Sequence, residues 1–131
     1  MTAEENLQRF NDSFERVMSD SDRFLEQFYA YFLAADPDVQ AMFGEDGLRR
    51  AQEMLIDSLQ YMVAFAGGAA PSAYLVRVAR GHAKVPAHYF ELWIEALLRA
   101  ASEHDPKWSA QTERAWRAML APGVQFMMSG R

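Results

Sequence analysis

A chain of 131 residues, half of them hydrophobic and 13% aromatic, is long enough to bury a core and too apolar to stay disordered. Its formal charge of −5, with thirteen Lys and Arg scattered among eighteen Asp and Glu, offers no basic run for nucleic acid. The absence of cysteine excludes disulfides, thiolate zinc sites, iron–sulfur clusters and cysteine nucleophiles together. The first thirty residues hold no uninterrupted apolar stretch, so neither a signal peptide nor a membrane anchor is expected, and the chain reads as cytoplasmic.

The hydrophobic spacing is helical almost throughout. Leu7, Phe10, Phe14 and Val17 predict a first helix up to about Met18, and Ser19 to Asp22 then supply N-cap chemistry. Phe24, Leu25, Phe28, Tyr31 and Phe32 mark a second helix, which stops near Ala35-Asp-Pro37 because the residue before proline is pushed out of the α region. A short turn from Pro37 to Phe43 and a polar loop from Gly44 to Gly47 are expected next. A further helix carries Leu48, Met54, Leu55, Leu59, Met62 and Val63 and ends at Gly67-Gly68. After Pro71-Ser72 comes a short helix closed by His82. Val85-Pro86 opens a long one with Tyr89, Phe90, Trp93, Ile94, Leu97 and Leu98 inward, up to Asp105-Pro106. The last helix is expected to use Trp108, Trp116, Met119, Leu120, Val124, Phe126 and Met127, and to be kinked or interrupted at Pro122-Gly123. No segment alternates with period two, and no linker or repeat is visible. The prediction is one all-α domain over residues 1–131, with the eight methionines, Met54 included, as core filler.

The residue that stands out is His82. Leu75, Val78, Ala79 and His82 recur at helical spacing, which puts an imidazole on an apolar face. Each ring nitrogen there needs a partner, and a metal is one, since neutral imidazole is the commonest protein ligand for metals. The plainer reading is a satisfied or partly exposed histidine.

Phe28-Tyr29, Ala35-Asp-Pro37, Met42-Phe43, Met54 to Leu59, Val78-Ala-Arg-Gly-His82, Val85 to Tyr89 and Ala115-Trp116 carry a more specific pattern in their order and spacing. On these stretches the chain resembles the globins, in particular single-domain bacterial globins related to the haem domain of flavohaemoglobins. The resemblance implies six to seven helices around a haem pocket, with haem b (iron protoporphyrin IX) as the cofactor. It implies His82 as the iron ligand, Phe43 as the ring that wedges the porphyrin, Tyr29 over the distal face and Leu55 crowding the ligand pocket. Val78, Val85 and Tyr89 fall on stretches that would line the cofactor.

Two positions depart from the family pattern. The relatives place a glutamine one helical turn before the residue matched by Leu55, where this chain has Ala51 followed by Gln52. About 100° of rotation separates neighbours, so only one of the two faces the pocket; the apolar stripe through Leu55 and Leu59 favours Ala51. The link between His82 and Val85-Pro86 is also shorter than in the relatives. That bears on whether Tyr89 supports the imidazole as a tyrosine and a glutamate do in flavohaemoglobins. The glutamate would fall beyond Arg131, so a strongly activated, peroxidase-like histidine is not expected.

His88 and His104 read as surface residues, and Arg49, Arg50 and Arg80 as a solvated face that also suits haem propionates. No phosphate-binding loop, nucleophile elbow or His-Glu-x-x-His motif is present. The resemblance implies reversible binding of a diatomic gas (O2, NO or CO) for storage or sensing, and charge and composition point to no nucleic-acid or membrane partner. It leaves two alternatives: nitric oxide dioxygenation with a separate reductase, and a haem-free globin-like signalling module.

Overall fold

The structure, a computed structural model, describes residues 2–82 and 84–129, and for residues 44 and 45 the backbone alone. Among the described residues there are six α-helices and no strand: α1 Ala3–Met18, α2 Ser21–Ala35, α3 Pro37–Ala66, α4 Ala73–Gly81, α5 Ala87–His104 and α6 Ala110–Ser129. No helix among them is long and apolar enough to cross a membrane.

The boundaries follow local chemistry. Thr2, Asp20, Asp36 and Ser72 cap α1 to α4, each side chain accepting a bond from a backbone N–H of the first turn. The end of α3 is a Schellman turn: Gly68 N donates to Phe65 O at 3.1 Å and Ala69 N to Ala64 O at 3.2 Å. Gly68 has φ +101°, a conformation open to glycine and strained for any side chain.

The sequence reading fails most clearly between Pro37 and Leu48. The expected turn and polar loop do not form; both lie inside the unbroken 30-residue helix α3. Pro37 stands at its first position, where the missing N–H costs nothing. Gly44 and Gly47 each cost a helix about 1 kcal/mol but do not stop one, as a proline would. The signal for continuity was present: Val39, Phe43, Gly47, Ala51, Leu55 and Leu59 recur every four residues, one stripe running through the supposed loop.

Helices α2 and α5 pack together, as do α3 and α6, with α1 laid along α6 and the short α4 resting on α6 and α3. Phe24, Phe28 and Phe32 of α2 meet an α5 face whose Ala96, Ala100 and Ala101 leave room for close approach. At the far end Trp116 of α6 is fully buried against Phe10, ring centroids 4.7 Å apart and edge-on. Trp108 lies outside α6, in the turn before it, where Ser109 Oγ takes the Thr112 N–H and starts the helix. Pro122 sits inside α6 without interrupting it.

Candidate functional site

Where α2, α3, α4, α5 and α6 converge there is a cavity of about 380 Å3, within the usual range for a small-molecule or cofactor site. Phe32, Val39, Phe43, Leu55, Phe90 and Trp93 give it a largely apolar wall. The close approach of α6 to α3 closes its inner end. A Cβ on Gly123 would stand 2.8 Å from Met62 Cγ, so only glycine lets Met62 lie flat against α6. Met62 and Met127 both reach the wall from there.

The histidine does not lie on the buried stripe of its helix. Leu75 and Ala79 are the buried residues of α4, while His82 is the residue beyond it, φ −102° and ψ 8°, exposed at the rim of the cavity. Its Nδ1 stands 2.6 Å from Val78 O. A carbonyl oxygen only accepts, so Nδ1 carries the proton and Nε2 keeps a free lone pair. The bond also fixes the ring, since carbonyl and imidazole are one helical turn apart. No described side chain takes Nε2 as a hydrogen-bond partner.

Tyr29 is placed by α2, whose apolar face also carries Phe28 and Phe32. It is 5% exposed, its ring 6.4 Å from Phe43 and nearly perpendicular to it. Its hydroxyl makes no hydrogen bond among the described residues, and Tyr29 lines the cavity. Burial pushes this phenol far above the usual tyrosine range, so it stays a neutral donor. The hydroxyl is not sealed in the core but opens on the cavity, where a bound molecule can accept from it.

Of the sequence-predicted residues, Tyr29, Phe43, Ala51, Leu55, Val78, His82, Val85 and Tyr89 meet at this cavity, and Gln52 does not. Ala51 and Leu55 are one turn apart on the wall of α3, which leaves Gln52 on a neighbouring face. Tyr89 is buried and lines the wall, but the His82 Nδ1 proton goes to Val78 O instead. Burial, and then the charges of Asp36 and Asp38 at the start of α3, raise the Tyr89 phenol above its ordinary range. Met54 is another correction: it is 40% exposed and borders the cavity with Met42, so it is a rim residue and not core filler. A helix stripe read one turn at a time does not show which edge stays open. His88 is exposed as expected, whereas His104 is half-buried with its ring 6.2 Å from Phe24. Arg49, Arg50 and Arg80 are exposed, and none of them lines the cavity.

A family model of the globins matches residues 26–127. The chain belongs to the globin family. The crystal structure of protein PA3967 from Pseudomonas aeruginosa PAO1, described as structurally highly homologous to a human hemoglobin, matches this globin with a TM-score of 0.87 at 27% identity. The match covers 95% of this chain and 97% of that one. No curated protein matches.

The remaining buried polar cluster of this globin lies at the opposite end from the cavity. Asp105, 2% exposed, accepts from Ser13 Oγ at 2.6 Å, Arg16 Nε at 2.6 Å and Lys107 N at 2.9 Å, and Trp116 Nε1 donates to Ser13 Oγ at 2.9 Å. Each of these donors has its acceptor, and none of these residues lines the cavity. It is a tether between the start of the fold and the α5–α6 turn.

Proposed function

We propose that this globin binds haem b through His82 and takes a diatomic gas, O2 foremost, on the face of the cavity towards Tyr29. One observation carries the reading: His82 is tied to Val78 O through Nδ1 and holds a bare Nε2 lone pair at the edge of an apolar cavity. Among the described residues no three His, Asp or Glu side chains cluster to hold a bare metal ion. A lone imidazole suits a metal whose other positions are filled by a macrocycle. Phe43 and Val78 would pack on the faces of that ring, and Leu55 and Ala51 would shape the ligand side.

When bound, the iron supplies one open coordination position for a small gas. The chain supplies the rest. Val78 O fixes the imidazole plane and raises its basicity by accepting its proton. Phe32, Phe43 and Leu55 keep water out, which strengthens any dipole inside. The Tyr29 hydroxyl, protonated and unpaired, donates to a ligand that carries partial negative charge.

Reconstitution tests this directly. The wild-type chain mixed with haem is expected to give a Soret band that shifts on reduction and on addition of CO. His82→Ala is expected to lose or scramble that band, with exogenous imidazole restoring it. A wild-type chain that takes up no haem would overturn the reading.

A further inference from the structure

On the α3–α4 side of the cavity, two tyrosines form a cluster that gas binding does not use. The rings of Tyr61 and Tyr74 stack with centroids 4.6 Å apart and planes 23° apart. Tyr61 is 42% exposed, and Tyr74 is half-buried beneath it. Tyr74 Oη lies 2.9 Å from Ser58 Oγ. Ser58 donates its own hydrogen to Met54 O at 2.9 Å, so its oxygen accepts from Tyr74. Ser58 is itself part of the cavity wall. A hydroxyl pair therefore connects the cavity to a stacked phenol pair that reaches the surface.

Packing alone does not require the hydroxyls. Phenylalanines at 61 and 74 would stack as well, and Tyr74 Oη and Ser58 Oγ bring polar atoms to a contact that apolar groups would fill. What the two hydroxyls add is an oxidisable group at each ring and, at Tyr74, a hydrogen bond that orients the phenol.

We propose that Tyr74 and Tyr61 are a redox-active pair that supplies two electrons to a hydroperoxide reduced in the cavity and is joined covalently as a result. The proposal rests on the haem reading for the place where the peroxide is reduced. Each phenol gives up one electron and one proton. The two rings then join through a carbon–carbon bond between positions ortho to the oxygens, and the two ortho hydrogens move to those oxygens. The two electrons and two protons released convert one hydrogen peroxide into two waters, so the sum is two tyrosines and one peroxide giving one dityrosine and two waters.

The test uses the haem-loaded full chain and an equimolar addition of hydrogen peroxide. Blue dityrosine fluorescence is expected to appear, with an intact mass lower by two hydrogens and a cross-linked peptide joining residues 61 and 74 within one chain. Tyr61→Phe and Tyr74→Phe should each abolish the fluorescence, whereas Tyr31→Phe, in a tyrosine bonded to Glu103 elsewhere on the surface, should leave it unchanged. A link between chains in place of the internal one, fluorescence surviving Tyr74→Phe, or no link in the haem-loaded wild type overturns the proposal. If the chain takes no haem, the haem reading fails by its own spectrum. Photo-oxidation of the same chain with a ruthenium complex and persulfate then decides the pair alone: an internal 61–74 link supports it as an electron donor, and none overturns it.

Discussion

At His82 the chemistry turns on which ring nitrogen carries the proton. Val78 O determines that, because a carbonyl 2.6 Å from Nδ1 accepts from the protonated tautomer only. Tyr29 is the matching residue on the other wall. Its hydroxyl has no hydrogen-bond partner among the described residues, so Tyr29→Phe leaves packing intact and removes one hydrogen bond to the proposed gas ligand. The expected loss is about 2 kcal/mol, a factor of roughly thirty in affinity, as for a hydrogen bond to a charged group. Stopped-flow dissociation should show it as faster release. Because burial holds the Tyr29 phenol well above its ordinary range, wild-type affinity should stay flat as pH rises through about 10, where an ordinary tyrosine would ionise. A drop in affinity at that pH would show that the hydroxyl is not the buried donor.

Between elements, two contacts decide how the helices meet. Burial pushes the Asp105 carboxyl up, but hydrogen bonds from Arg16, Ser13 and the Lys107 N–H outweigh it and hold the group below its ordinary range. A group lowered in this way stabilises the fold above its unfolded-state value near about 4, and that stability drains as pH falls through the folded-state value. Asp105→Asn removes the charge and turns an amide N–H towards donors. The expected cost at neutral pH is about 3 kcal/mol, as for breaking a buried pair. In urea titrations the gap between wild type and variant should narrow below about pH 4, and a constant gap would rule out the ionised pair as its cause. The second contact is Gly123 against Met62. Alanine at 123 gains helix propensity of about 1 kcal/mol, yet its Cβ would overlap Met62, with overpacking costs of about 1–3 kcal/mol. We expect Gly123→Ala to be destabilised and to alter the cavity, and Gly123→Ala with Met62→Ala to cost less than the two single losses added, because the truncation removes the clash. Thermal denaturation of the single and double variants checks this.

Over the whole molecule, stability is uneven in a way that matters for ligand uptake. Helix α4 has nine residues, two of them buried, and rests mainly on α6 and α3. Its end carries His82, so the element that holds the proposed cofactor is also the least anchored. A ligand present at a hundred times its dissociation constant stabilises by about 2.7 kcal/mol. In hydrogen exchange, amides of α4 are expected to slow most on haem binding, with those of α1 and its Asp105 tether hardly changed. Equal slowing everywhere would contradict this picture.

The sequence by itself determined the helical class and most helix ends, while the group of residues at the cavity was legible only through the resemblance to the globins. The class and the ends rest on local rules: periodicity along one face, caps, and prolines that forbid a hydrogen bond. It could not determine whether Gly44 to Gly47 would interrupt α3, because a glycine only weakens a helix and the contacts along the Val39–Leu59 stripe outweigh that cost. Between Ala51 and Gln52 the stripe through Leu55 and Leu59 favoured Ala51, and Ala51 lines the cavity while Gln52 does not. The bond from His82 to Val78 O is local, one turn back along the same segment, whereas the open edge at Met54 and the exposed position of His82 at the rim were decided by tertiary packing. They depend on how far α4 stands from α3, a distance that no spacing within either helix encodes.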